Sequence, residues 1–169
     1  VTDAPADRLF HALAAVALVV MAGVFAAANA SGGVEHLDEP VPVIPAIRLD
    51  DGAPLSVGDG RPTAVFVWLP RCGACAGEAP LVEAARLRHP DVRFVGISLL
   101  PDAAGTRRAA DAYGLTGELA TSTGSVLDAL GLASAPSFAW INAEGRLVAR
   151  ADGPVSARVL EREIAALRE

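Results

Sequence analysis

The sequence has no lysine: all 14 of its basic residues are arginine. Together with the abundance of Ala, Gly and Pro, this reads as the imprint of GC-rich coding, so those frequencies carry no functional argument. The arginines are scattered, with Arg107-Arg108 the only adjacent pair, and the formal net charge is −6. A chain with neither a basic patch nor a positive balance is not built to hold phosphate backbones, so no nucleic-acid partner is expected. Cysteine is scarce too. The two present, Cys72 and Cys75, lie three apart in one motif, so neither is free for a long-range structural disulfide. The histidines are His11, His36 and His89, spread over an apolar segment, a tether and a helix end, so a zinc site would lack its two further ligands. No internal repeat and no low-complexity block appears beyond an Ala-rich N-terminal stretch.

What is present suits one domain with an appendage, at 169 residues. The 52% hydrophobic content excludes disorder throughout. Part of that content sits in one block. From Ala12 to Ala28 no residue is charged, and Leu13 to Phe25 is apolar all round rather than amphipathic. Its roughly 17 residues fall between the apolar region of a signal peptide, about 7 to 15, and a membrane span of about 17 to 25. Ala28-Asn29-Ala30 fits a small-x-small cleavage site, whereas Arg8 is the only basic side chain ahead of the block and is balanced by Asp3 and Asp7. Residues 1–30 are therefore expected to be a signal peptide or a membrane anchor, and either places the remainder outside the cytoplasm. Residues 31–45, with Pro40, Pro42 and Pro45, read as a mobile or extended linker. The folded domain is expected over 46–169.

Within that domain, 46–57 reads as two short strands around the turn Asp50-Asp51-Gly52. Thr63 to Leu69 is an almost unbroken apolar run, expected to be a central strand buried on both faces. Gly73 to Arg88 favours helix, with Leu81, Val82, Ala85 and Leu87 as its inner face and Pro80 as a kink. Val92 to Leu100 is a second buried strand, followed by a helix from the N-cap Asp102 through Tyr113 to a stop at Gly114. A short helix over about 124–130 closes at Gly131. A hairpin then pairs Ser137–Ile141 with Leu147–Ala151, and a last helix runs from about Ser156 to Arg168 with Val159, Leu160, Ile164 and Leu167 inward. The rhythm gives an α/β fold, a mixed sheet with helices on both faces.

The chemistry concentrates in Cys72-Gly73-Ala74-Cys75, between an apolar strand and a helix. Two thiols on a helix's first turn can close a small disulfide. The leading one sits where backbone N–H groups point, and partial positive charge there typically draws a Cys pKa from about 8.5 to about 3.5–7.5. Cys72 is so placed and is the candidate nucleophile; Cys75 is the resolving thiol. An inert staple is the bland alternative, but a loop this short constrains little chain entropy. Glu78 lies about 60° around the helix from Cys75 and about 120° from Cys72. It reads either as the group that takes the Cys75 proton or as an ordinary surface glutamate. Ala135-Pro136-Ser137 precedes the hairpin; a cis bond there would leave backbone free for an extended substrate, although propensity alone favours trans.

Taken in order, several segments resemble the thioredoxin superfamily, and within it the membrane-associated TlpA-like branch that includes the cytochrome c maturation thioredoxins. They are Ile47 to Ser56, Val67-Trp68 to Cys75, Glu78 with Pro80, and Ala135-Pro136-Ser137-Phe138 leading into Asn142 to Val148. The resemblance covers about Ile44 to Leu167. It implies a thioredoxin-like fold, a central mixed β-sheet flanked by helices with an N-terminal hydrophobic helix. It further implies a monomeric protein-disulfide reductase using the Cys72-Cys75 couple without other cofactor or metal. Pro136 would be the cis proline facing the cysteines and Glu78 the buried acid, since Phe66 stands where ordinary thioredoxins carry a buried Asp. Ala135, Pro136 and Trp68 would contact substrate. The partners implied are protein thiols and disulfides, such as apocytochrome c, and a membrane electron donor, in a periplasmic or other extracytoplasmic setting. Arg71, preceded by Pro70, replaces the Trp that members commonly carry before the first Cys, so the docking surface departs from the pattern. An oxidant or isomerase using the same site remains open. A copper metallochaperone would use a wider C-x-x-x-C pair with a distant His, and a thiol peroxidase a Thr or Ser where Leu69 stands.

Overall fold

The computed structural model describes residues 33–123 and 125–168; the signal or anchor expected at 1–30, with its apolar helix, lies outside the described residues. The described chain runs β1 (Val34–Pro40), β2 (Ala46–Arg48), β3 (Thr63–Trp68), α1 (Gly73–Arg88), β4 (Arg93–Ser98), α2 (Ala103–Tyr113), β5 (Glu118–Ser122), α3 (Val126–Leu130), β6 (Ser137–Ile141), β7 (Arg146–Asp152) and α4 (Ala157–Ala166). These strands form one sheet in the order β1-β7-β6-β3-β4-β5-β2. It is mixed: β3, β4 and β5 are parallel neighbours and the other pairs are antiparallel.

Every residue of β3 is buried, and successive side chains of a strand point to opposite faces. Ala64, Phe66 and Trp68 therefore enter one apolar cluster with Ala79, Val82 and Ala85 of α1 and Leu160 and Ile164 of α4. Val65 and Val67 enter a second one with Val126 and Leu130 of α3. On the first face Phe66 stacks on Phe138 with ring centroids 5.1 Å apart, and Phe138 on Trp140 at 5.8 Å. The expected central strand with helices on both faces is what forms.

Helix α2 begins and ends where the sequence indicates. The Asp102 carboxylate accepts from the Ala104 and Gly105 N–H groups, each at 3.0 Å, and Gly114 closes the helix at φ 71°, a left-handed conformation that glycine adopts without steric cost. Helix α1 runs unbroken through Pro80.

Four local features differ from expectation. Residues 34–40, expected within the linker, form edge strand β1 paired with β7. Cross-strand ion pairs help hold it: Arg150 with Glu35 at 2.7 Å, and Arg146 with Asp38. Such pairing leaves no apolar alternation to read. The second short strand of 46–57 is only a bridge between Ile47 and Pro54. Strand β5 has no counterpart among the expected elements, because its sequence ELATS lacks a hydrophobic run; the Arg93 guanidinium on β4 fastens it by a two-pronged pair with Glu118, at 2.8 and 2.6 Å. Leu87 is 67% exposed, since it falls out of step with the buried face Cys75, Ala79, Val82 and Ala85.

Replacing Phe66 by Ala removes a ring that both Phe138 and the α1 face pack against. The expected loss is about 3–5 kcal/mol of unfolding free energy, read from the urea midpoint.

Candidate active site

Strand β3 ends at Trp68, and three residues carry the chain to α1. Arg71 takes φ 61°, left-handed for a residue with a side chain, a conformation that neighbouring structure must hold. Cys72 then serves as N-cap in extended geometry, and its sulfur accepts from the Cys75 N–H at 3.1 Å. The two cysteines are joined as a disulfide with Cα atoms 5.2 Å apart. They are not equivalent. Cys72 is half-buried, whereas Cys75 is fully enclosed, so an incoming group reaches the first sulfur and not the second.

Tyr113, at the end of α2, fixes the turn from the side. Its hydroxyl oxygen accepts from the Cys72 N–H at 3.1 Å, and its own proton has two carbonyls in reach, Cys72 at 3.3 Å and Leu69 at 3.4 Å. Its ring lies 5.6 Å from Trp68. Trp68 itself is fully buried, which corrects the expectation that it contacts substrate: it is the floor that positions Tyr113. In the sequence, Tyr113 marks only a helix end. Its being the one tyrosine of the chain is the available signal, and nothing in the spacing ties it to a cysteine 41 positions away.

Glu78 is buried, one turn past Cys75 on the inward face of α1, so the surface-glutamate reading falls away. Loss of hydration pushes its carboxyl above the ordinary range, and the Val155 N–H, donating to Oε2 at 3.3 Å, partly offsets this. The Ala135-Pro136 bond is cis. Pro136 is buried and Ala135 half-buried, and Ala135 and Cys72 pack against the same apolar cluster. Asp152, which no sequence motif singles out, braces this loop: its Oδ1 accepts from the Ala133 N–H at 2.7 Å, the Ser134 N–H at 3.4 Å and the Ser137 hydroxyl at 3.1 Å. The Gly153 N–H donates to the Pro136 carbonyl at 2.9 Å. Among the described residues no group of three or more His, Cys, Asp or Glu is placed to hold a metal ion.

A strand-to-helix turn carrying a C-x-x-C disulfide, a cis proline before the β-hairpin and this mixed sheet define a thioredoxin-fold thiol–disulfide oxidoreductase. The chain is 27% identical over 132 residues, 78% of its length, to the soluble secreted antigen MPT53 of Mycobacterium tuberculosis and Mycobacterium bovis, covering 74% of that protein. The structure of Mycobacterium tuberculosis DsbF, in mixed oxidized and reduced forms, superposes with TM-score 0.67 at 27% identity over 76% of this chain and 98% of that one. A secreted Mycobacterium tuberculosis disulfide oxidoreductase homologous to Escherichia coli DsbE gives 0.61 at 26% identity, covering 72% and 93%. No family model matches the chain.

The raised Glu78 carboxyl has a consequence for stability. A folded-state pKa above the unfolded one favours the protonated fold, so its stabilising effect is complete below the ordinary value of 4.5 and is lost as pH rises through the raised value. Glu78→Gln, which carries no charge, should match the wild type in urea stability near pH 4 and exceed it near pH 8.

Proposed function

We propose that this protein acts outside the cytoplasm as a dithiol reductase of disulfides in exported proteins, apocytochrome c among them, with electrons supplied by a membrane donor. The observation that carries this reading is the unequal pair of sulfurs: a half-buried Cys72 at a helix N-terminus over an enclosed Cys75, with the buried Glu78 carboxyl one turn further on. The secreted relatives support the location, as does the apolar block ahead of the domain.

In the reduced protein, the N–H dipoles at the start of α1 stabilise negative charge on the Cys72 sulfur. That thiolate attacks one sulfur of the substrate disulfide. A mixed disulfide forms, and the other substrate sulfur leaves as a thiolate that takes up a proton. Cys75 then gives its proton to the Glu78 carboxylate and attacks the Cys72 sulfur. The second substrate thiol departs, and the Cys72–Cys75 disulfide remains; two electrons have passed from dithiol to substrate. Ala135, held by its cis bond to Pro136, offers the backbone against which an extended substrate segment lies during these steps.

Insulin-disulfide reduction, followed as turbidity, tests the assignment. Cys72→Ser should abolish turnover, and Cys75→Ser should trap a substrate mixed disulfide that wild-type protein does not accumulate. Glu78→Gln should slow resolution by about 100-fold, the lower end of what a positioned proton acceptor contributes. The direction of flow is checked by equilibrating the couple with glutathione: a potential near about −270 mV fits a reductant, and one near about −120 mV would reassign the protein as an oxidant.

A further inference from the structure

Beside the reactive turn lies a groove of about 680 Å³, between the segment Leu69-Pro70-Arg71 and one face of α2. That face consists of Gly105, Arg108, Ala109, Ala112 and Tyr113, spaced i, i+3, i+4, i+7 and i+8 as one side of a helix requires. Three of the five are Gly or Ala, which leaves the groove open, while Leu69, Leu100 and the Tyr113 ring give it an apolar lining. Tyr113 also bonds the Cys72 backbone, so the groove begins where the chemistry happens.

Its charge runs against that of the molecule. In a chain of net charge −6, two arginines line it against one aspartate. The aspartate, Asp102, is engaged in capping α2 through both carboxylate oxygens and stands 3.9 Å from Arg108, too far for a direct hydrogen bond. The Arg108 side chain is 74% exposed. Arg71 is exposed, is next to Cys72 in the chain, and makes no hydrogen bond or ion pair with any described residue. Most other arginines make closer ion pairs with carboxylates than the one between Arg108 and Asp102.

Building on the oxidoreductase reading, we propose that this groove is the substrate-selecting surface, and that its occupant is an extended segment of a substrate protein carrying Asp or Glu two or three residues from its reactive cysteine. When that cysteine is bonded to Cys72, each further residue of an extended segment advances about 3.3 Å. An acidic side chain at that spacing reaches Arg71 and Arg108, and a neighbouring apolar side chain meets Leu69 and Tyr113. Arg71 and Arg108 thus set specificity through charge, while the cysteines carry out the exchange.

The test uses full-chain protein with the Cys72–Cys75 pair reduced beforehand. Two synthetic peptides are offered, identical except for Glu or Lys flanking a single cysteine held in a mixed disulfide with 2-mercaptoethanol. Bis(2-hydroxyethyl) disulfide serves as a small neutral substrate. At low ionic strength the Glu peptide should react about 10-fold faster than the Lys peptide, and the gap should close in about 0.5 M salt. Arg108→Glu should erase or reverse the preference. Arg158→Glu makes the same change in net charge on exposed α4 and should retain it, which separates local docking from overall charge. If wild-type protein reduces both peptides at equal rates, or if the preference survives Arg108→Glu, the groove does not select substrate and the proposal is overturned while the enzyme assignment stands. Failure to reduce even the neutral disulfide would overturn both.

Discussion

A strand buried on both faces favours apolar side chains: after Thr63, whose hydroxyl donates to the Arg61 carbonyl, β3 delivers hydrophobic residues as far as Trp68, and the chemistry begins only once the chain has left the sheet. The transition takes three residues, one of them in a left-handed conformation, and it lands Cys72 on the N-terminus of α1. The helix in turn is held down by Ala79, Val82 and Ala85 against the same face that Phe66 and Trp68 supply. The sulfur's position is therefore fixed by apolar packing beneath it. Dispersion and hydrophobic burial do the positioning together with the Tyr113 hydroxyl, and the helix N-terminus favours negative charge on the sulfur.

Parts of this arrangement are legible in the sequence because they are local. The β3 run, the C-x-x-C at its end and the Asp102-to-Gly114 bounds of α2 each lie within one short window, where period, capping and turn chemistry act. The parts that are not legible are held by partners far apart in the chain. Strand β1 pairs along β7, with Arg146 and Arg150 meeting Asp38 and Glu35 more than 100 positions earlier, and β5 pairs with β4 and β2, with Arg93 on Glu118. A sequence window records charged residues in each case and sees a linker or a loop.

The same distinction applies to the candidate site. Cys72, Cys75 and Glu78 share one helix and can be read together. Tyr113 and Asp152 cannot, since each acts on a loop that the fold brings alongside: Tyr113 on the residues before α1, Asp152 on the backbone around the cis Ala135-Pro136 bond. Trp68 misleads for the opposite reason. Its proximity in sequence to Cys72 suggests a surface role, but strand alternation turns it inward with Phe66, where it supports Tyr113 from below.

The asymmetry between the sulfurs gives the proposed reaction its order. Cys72 combines access with donors that favour its anion; Cys75 has neither access nor such a donor, and lies on the same buried helix face as a carboxyl whose proton affinity is raised by burial. Stabilising only the Cys72 anion would favour the reduced form and make the couple more oxidising. In the proposed mechanism an ionised Glu78 works against that, because a carboxylate in low dielectric opposes charge on a neighbouring thiol and favours closing the disulfide. In the proposed mechanism Glu78, its carboxyl raised above the ordinary range by burial, takes the Cys75 proton in the resolving step and returns it when the disulfide is reopened. In that scheme one buried acid on α1 acts on both the potential and the rate, so its burial bears on the proposed chemistry as the exposure of Cys72 does.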